Sequence, residues 1–461
     1  MSTKQGSRSG DRLDDFWQAN DGEDWWNGGA PVRFHPEVNF ETATHRKNHQ
    51  SNAPLALYVH IPFCLTRCYF CTFTVVVGKR VNDDLIQGYL QALEQELIHY
   101  SDMLAPFAPP IKTIQLGGGT PSMLTEEQLQ WLLDRILALF NCAELEEIIV
   151  EGFPSSVTQS KLEAIAAYRC VKFNIGVQTF DDIVLDSIGR RHEKEQAMEA
   201  IAQAVNAGLA SVGIDLIYGL PFSTPEAVVR DVRQAVTLGV DHVALYPLWI
   251  YPKTTLFNLC RSEKISVPTL ESRRAQLYAG ADSLAAHGFH RYTAFHYSLH
   301  NQTPHNYGTW QMRDRDWLGA GQGAVSYLNG ILYQNDKNIG SYIRKAMNGE
   351  ECSVEESRLS LGERMVRAMI YGLRLLPMPV AEFAQKYGHE MEELFDEEVI
   401  GLERTGMIQR VGGDIELTQE GVLNLGVIED TLEQVLRRYG IEPVRAANRQ
   451  LTSVEQVFSG W

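Results

Sequence analysis

Six short apolar runs alternate with helical patterns between Leu55 and Pro252, and this alternation limits the fold more than anything else in the chain. The runs are Leu55–Ile61, Ile111–Leu116, Glu147–Glu151, Lys172–Val177, Ser211–Tyr218 and His242–Leu248. Each has the length and apolar character of a buried strand. Between them, Leu85–Tyr100, Glu126–Phe140, Leu162–Tyr168, Glu193–Ala207 and Pro225–Leu238 read as helices. Thr125 is a good N-cap, Pro225 suits a first turn, and Gly208 and Gly239 suit C-caps. Such β/α units predict an α/β protein with a parallel sheet and helices outside it. Six units fall short of the eight of a closed barrel. The expectation is an incomplete (β/α)6 barrel with a wide mouth, binding ligands at the C-terminal ends of its strands.

The first run leads directly into chemistry. Leu55 to Thr74 reads LALYVHIPFCLTRCYFCTFT, so Cys64, Cys68 and Cys71 follow the strand at C-x3-C-x2-C spacing. Three close thiolates can hold an iron–sulfur cluster. A [4Fe–4S] cubane normally takes four cysteines. Three local ligands leave one iron open, and an open metal position is what catalysis needs. Zinc is a competing reading, but it favours paired C-x2-C units, and no second pair is in range. Three bland buried cysteines are the other alternative. Cys142, Cys170, Cys260 and Cys352 stand isolated in apolar or helical contexts.

The later strand ends carry further polar residues. Gly117-Gly118-Gly119-Thr120-Pro121 follows the second run, where glycines let backbone amides approach a polar ligand. Glu151 ends the third run in VEGFP, as either a ligand contact or a solvated loop residue. Gln178 ends the fourth in GVQTF, with an amide that both donates and accepts. Arg190, ahead of Arg191 and His192, suits a carboxylate fork or a charged helix end. Asp215 sits inside the apolar SVGIDLIYGLP, where a lone carboxylate needs a partner; Arg190 is one candidate. His296, His300, His305 and Asn306, with Tyr307 and Trp310, form the richest polar–aromatic patch. It reads as a substrate lid or pocket lining, and its spacings match no metal-ligand motif.

The stretch Tyr58-Val-His-Ile-Pro-Phe-Cys64-x3-Cys68-Tyr-Phe70-Cys71, with GGGTP after it, resembles the radical S-adenosylmethionine (SAM) superfamily. The likeness is greatest to the branch of oxygen-independent coproporphyrinogen III dehydrogenase. That branch also holds heme-trafficking proteins and class C radical SAM methyltransferases. The resemblance implies an incomplete radical SAM barrel, with a [4Fe–4S] cluster on the three cysteines. SAM would chelate the open iron and be cleaved to a 5′-deoxyadenosyl radical. Tyr58 and Gly118 fall within the matching motifs, and Val325 matches a position near the first SAM. Glu151 is assigned SAM ribose or amino contacts. Phe70, Gly119, Thr120, Gln178, Arg190, Asp215 and Trp249 correspond to a site for a second SAM. Trp249 stands where the dehydrogenase has a small residue, and Phe73 stands where it has a fourth cysteine. The dehydrogenase's Gly-Pro-Arg-Tyr motif is not found in residues 1–54. These departures favour methylation of an sp2 carbon in a planar aromatic, with menaquinone the specific expectation. The alternatives are the dehydrogenase itself, acting on a tetrapyrrole, and a heme-binding trafficking protein, which HNYGTW around Asn306 also resembles. A flavodoxin or ferredoxin would supply electrons.

At 461 residues the chain has length for two or three domains. The expected divisions are an arm over 1–50, the barrel over 51–260, a barrel extension and substrate-pocket segment over 261–352 and a C-terminal module over 353–461. Leu270–His287 reads as another helix. Leu359–Leu376, Val380–Tyr387 and Glu392–Thr405 also read as helices, and Ile408–Leu417 as a hairpin turning at Gly412-Gly413. Together these last four suggest an α-rich, winged-helix-like module. The arm carries Trp17, Trp25 and Trp26 as aromatic anchors. A net charge of −17 argues against nucleic acid and anionic membranes as primary partners. Seven cysteines, three of them clustered, fit a reducing compartment. There is no apolar signal core and no run near the ~18 residues that span a bilayer. A soluble, cytoplasmic protein is expected, meeting an apolar acceptor at a membrane surface or in a pocket.

Overall fold

The computed structural model describes residues 52–300 and 303–438. The expected arm, with its three tryptophans, lies outside the described residues. All six expected strands form: β1 Leu55–Ile61, β2 Ile111–Gly118, β3 Glu147–Gly152, β4 Val171–Gln178, β5 Ser211–Tyr218 and β6 His242–Pro247. They lie side by side in chain order, all parallel. Their apolar residues are buried against the helices between them, as runs covered on both faces require.

The sheet then extends at both edges. β7 His290–Arg291 and β8 His296–Ser298 add beyond β6, with β8 antiparallel to it. On the other side lie β9 Trp317–Ala320, β10 Val325–Leu328, β11 Ile331–Asn335 and β12 Ser353–Arg358. The full order is β12-β11-β10-β9-β1-β2-β3-β4-β5-β6-β8-β7. β9 pairs with β1 in parallel, setting Tyr58 beside Gly319 on one side and Gln115 on the other. The six-unit barrel is therefore flanked by strands from the segment expected to extend the barrel and line the pocket. The sheet also runs through Arg358, past the boundary expected at 353.

Local capping fixes the helices. Asn82 accepts from the Leu85 amide at 2.9 Å and starts the helix Asp83–Leu104 two residues before the apolar pattern does. Thr125 and Gln128 form a capping box on Glu126–Leu139. Thr224 caps Pro225–Thr237. The C-terminal module has helices Leu361–Gly372, Val380–Tyr387 and Met391–Arg404, a hairpin of Ile408–Val411 with Asp414–Leu417, and two closing helices. Among the described residues no helix is long and apolar enough to cross a membrane.

Candidate functional site

The three cysteines sit where β1 delivers them. Phe63–Cys64 pairs with Val76–Val77, closing the loop between them. The Tyr69 amide donates to the Ile188 carbonyl at 2.8 Å, and the Leu256 amide donates to the Tyr69 carbonyl at 2.8 Å. Gly189 packs under this loop with φ +71°; a Cβ there would lie 2.5 Å from the Tyr69 ring. The Cys64 thiol lies 3.4 Å from Thr120 Oγ1. Arg190 Nη1 donates to Cys68 Sγ at 3.3 Å. Burial pushes the Cys64 thiol up to about 11 and the Cys71 thiol to about 12. Thiols so placed keep their protons until a metal takes them.

One cavity joins this loop to the barrel interior. Its lining includes Cys64, Cys68 and Cys71, and with them Phe70, Gly118, Gly119, Thr120, Glu151, Gln178, Arg190, Asp215 and Trp249. Tyr58 and Val325 line a smaller adjoining cavity, which shares Phe73, Gln115, Gly118 and Glu151 with the first. Every residue expected to hold the cluster or SAM thus lines one of two touching cavities.

Several contacts differ from expectation. The Gly118 amide donates to Glu151 Oε2 at 3.3 Å and the Gly119 amide to the Ile61 carbonyl at 2.8 Å. Those amides already have protein partners, so the turn's value is close approach. A Cβ on Gly118, at φ +103°, would lie 2.2 Å from His60 Nδ1. Asp215 does not pair with Arg190. Its Oδ1 accepts from Asn174 Nδ2 at 2.9 Å. Arg190 instead bonds the Gly176 carbonyl and Cys68, with its guanidinium 4.1 Å from the Phe153 ring centroid. Gln178 takes φ +75° after a bulge in β4, an uncommon conformation for a side-chain-bearing residue at the cavity wall.

The histidine patch closes the far end of the barrel. Glu147 stands at the N-terminal end of β3, opposite the mouth. It accepts from the Asn306 and Tyr307 amides at 2.9 and 2.6 Å and from Lys172 Nζ at 2.9 Å. The short helix Asn306–Met312 is therefore a floor and not a lid. His296 and His305 line the main cavity, while His300 does not. His305 stacks on His242 at 3.7 Å. Sequence reasoning missed Gln115, Asn174, His242 and Tyr246 as lining residues. The signal that picked out Asp215, a polar residue inside an apolar strand, would have found the first two.

His60 has a fixed tautomer. Its Nε2 lies 2.9 Å from the Thr74 carbonyl, which can only accept, so Nδ1 accepts from the Tyr58 hydroxyl at 3.0 Å. Glu151 and Asp215 are both pushed up, to about 7 and about 6. Burial is the main cause for each, and for Glu151 the Asp215 charge adds to it. The native state thus holds protons that the unfolded chain releases from the ordinary values of 4.5 and 3.8. Stability therefore falls as pH rises through that window. Asp215→Asn removes one contribution. In urea melts, its stability relative to wild type is expected to improve by about 2 kcal/mol from about pH 4 to about pH 8. A pH-independent difference would contradict this account of Asp215.

Among the described residues no three His, Cys, Asp or Glu side chains could hold a single metal ion. A cubane makes a different demand, because each thiolate takes its own iron corner. Three undisulfided cysteines on one loop, facing a shared cavity, fit that donor set.

The radical SAM superfamily profile matches residues 58–235, and the HemN C-terminal domain profile matches residues 359–423. The chain is 31% identical to the heme chaperone HemW of Lactococcus lactis over 371 residues, covering 80% of this chain and 94% of that one. It is 29% identical to the heme chaperone HemW of Bacillus subtilis over 369 residues, covering 79% and 96%. The solved coproporphyrinogen III oxidase (HemN) from Escherichia coli, described as a radical SAM enzyme, superposes with a TM-score of 0.71 at 24% identity. That overlap covers 84% of this chain and 92% of that one. This last likeness is one of fold.

Proposed function

Since the chain belongs to the radical SAM superfamily, in its HemN-like branch, we propose that it is a heme-binding trafficking protein built on a radical SAM core. The observation that carries this reading is the match to heme chaperones along 94% and 96% of their length. The methylation expected from sequence is not supported, because these relatives are named heme chaperones. Phe73 argues against the dehydrogenase, but it does not choose between methyl transfer and heme carriage.

The family implies a [4Fe–4S] cluster and SAM. Cys64, Cys68 and Cys71 would hold the cluster, which when reduced supplies the electron that cleaves SAM. Tyr58, Phe70, Gly118, Gly119, Thr120, Glu151, Gln178, Arg190, Asp215, Trp249 and Val325 would contact SAM. The expectation of two SAM molecules per chain is kept within the proposal. The chain's own residues orient these ligands. Arg190 braces Cys68, Thr120 braces Cys64, and the apolar strands keep water from the interior. We also propose that the C-terminal module begins after Arg358, where the sheet ends.

Protein reconstituted without oxygen and titrated with hemin is expected to give one Soret change saturating near one equivalent. Absence of hemin binding, with release of 5′-deoxyadenosine and S-adenosylhomocysteine in the presence of a quinone, would overturn heme carriage.

A further inference from the structure

We infer that Lys161 is a positioning residue, an ammonium outside the cavity that locks the Gly-rich loop to the following strand-end loop and thereby sets both Cys64 and Cys68. The inference rests on the cluster-and-SAM part of the reading above. Lys161 lies on the helix Gln159–Ala166, after β3. Its Nζ donates to the Ser122 carbonyl at 2.8 Å and to the Ser156 carbonyl at 3.1 Å. Ser122 belongs to the turn Pro121–Met123 that follows GGGT, and Ser156 to the turn Pro154–Ser156 that follows β3. Neither carbonyl lines the cavity. One side chain therefore staples two loops whose neighbours do line it.

The staple is reinforced by a directed set of hydroxyl bonds. Ser156 Oγ donates to the Phe153 carbonyl at 2.9 Å. That uses its single hydrogen, so Ser122 Oγ must be the donor in the 2.5 Å contact between the two hydroxyls. Ser122 Oγ in turn accepts from the Phe153 amide at 3.2 Å. Both serines are buried, so every member of the set has a partner and none can turn to water.

Two branches leave this point. Through Ser122 the turn holds Thr120, whose hydroxyl meets Cys64 Sγ. Through Phe153 it holds the ring that carries Arg190, whose Nη1 meets Cys68 Sγ. Two of the three cluster ligands are thus braced by elements that converge on one ammonium. Burial pulls the Lys161 pKa down against the opposing pull of the Glu126 charge, and the two carbonyls give the partly buried ammonium hydrogen-bond partners. A residue needed only for helix stability would require neither carbonyl.

The test uses the full chain, reconstituted without oxygen, as wild type, Lys161→Met and Lys161→Arg. Lys161→Met keeps the stem and removes the ammonium. It should load iron and sulfide as wild type does and keep its circular dichroism, while its SAM Kd rises about tenfold. The change that SAM makes to the electron paramagnetic resonance spectrum of the reduced cluster should become heterogeneous. Lys161→Arg should restore both readouts at least halfway. Ser122→Ala, which breaks the Phe153 link but spares the Ser122 carbonyl, should shift them the same way, and Lys161→Gln, which removes the ammonium but stays polar, decides the matter if Lys161→Met does not fold. If the variants bind SAM and respond spectroscopically as wild type does, Lys161 is structural only and the inference is overturned. If wild type itself holds a cluster but binds no SAM, the underlying reading has failed instead.

Discussion

Replacing Cys68 with Ala is expected to remove the iron–sulfur chromophore altogether, with iron and sulfide falling to background after oxygen-free reconstitution. The argument begins from ligand number. Three thiols face the cavity from one loop, and Cys142, Cys170, Cys260 and Cys352 do not line it. A cubane with three protein thiolates already has an open corner; with two it has lost half of the usual four. Cys68 is also the thiol that Arg190 addresses, so the variant leaves that guanidinium without one of its acceptors. SAM binding that depends on an iron corner should vanish with the cluster. Cys170→Ala is the control and should load normally. Thermal stability should separate the two causes of loss, because the loop's backbone bonds to Ile188 and Leu256 do not involve the thiols. A Cys68→Ala protein that keeps wild-type iron, sulfide and colour would end the cluster reading. Loss of the cluster in Cys170→Ala as well would make the result one of folding.

The parts of the structure that were legible are those decided locally. The six barrel strands are apolar runs of strand length between helices with Thr, Pro and Gly at their ends, and each forms within a few residues of its expected bounds. Capping explains the small shifts. Thr158 starts a helix at Gln159, earlier than the apolar pattern at Leu162 suggested, because its hydroxyl accepts from the Lys161 amide. What stayed hidden is non-local. Trp317–Ala320 is too short to read as a strand, and its parallel partner β1 lies far earlier in the chain. The histidine patch was seen, but not its place. The buried Glu147–Lys172 pair, invisible as a pair in sequence, holds Pro304, Asn306 and Tyr307 to the floor. At the site, the cysteine loop was legible because three thiols at fixed spacing have few uses. Arg190 was singled out for the wrong partner, since charge pairing pointed to Asp215 while the fold turns the guanidinium to sulfur, a carbonyl and a ring. The choice between methyl transfer and heme carriage was not legible in the motif, because the branch shares it. Similarity over 79–80% of this chain to proteins named heme chaperones is what favours the carrier.

Asp314→Ala is expected to cost about 3–5 kcal/mol of stability, among the largest single-residue effects in the chain. Asp314 is buried between the floor helix and β9, with φ +52°. Its carboxylate accepts from Arg367 Nη1, from Lys386 Nζ at 2.5 Å and from the Tyr387 hydroxyl at 2.5 Å. All three donors come from the C-terminal module, so one side chain joins that module to the strand beside β1. Arg367 is fully buried, its guanidinium 4.3 Å from the Tyr327 ring, 4.5 Å from Tyr371 and 5.3 Å from Trp317. Aromatic faces favour a cation but do not replace its counter-charge. Removing the carboxylate strands a cation that has no route to water, and the loss is therefore greater than that of one hydrogen bond. The double variant Asp314→Ala with Arg367→Leu removes the stranded charge and should recover a good part of the deficit, because an apolar side chain suits that aromatic box. Denaturant melts of wild type, both single variants and the double variant measure the coupling directly. The account fails if Asp314→Ala loses less than about 1 kcal/mol, or if the double variant is no more stable than Asp314→Ala alone.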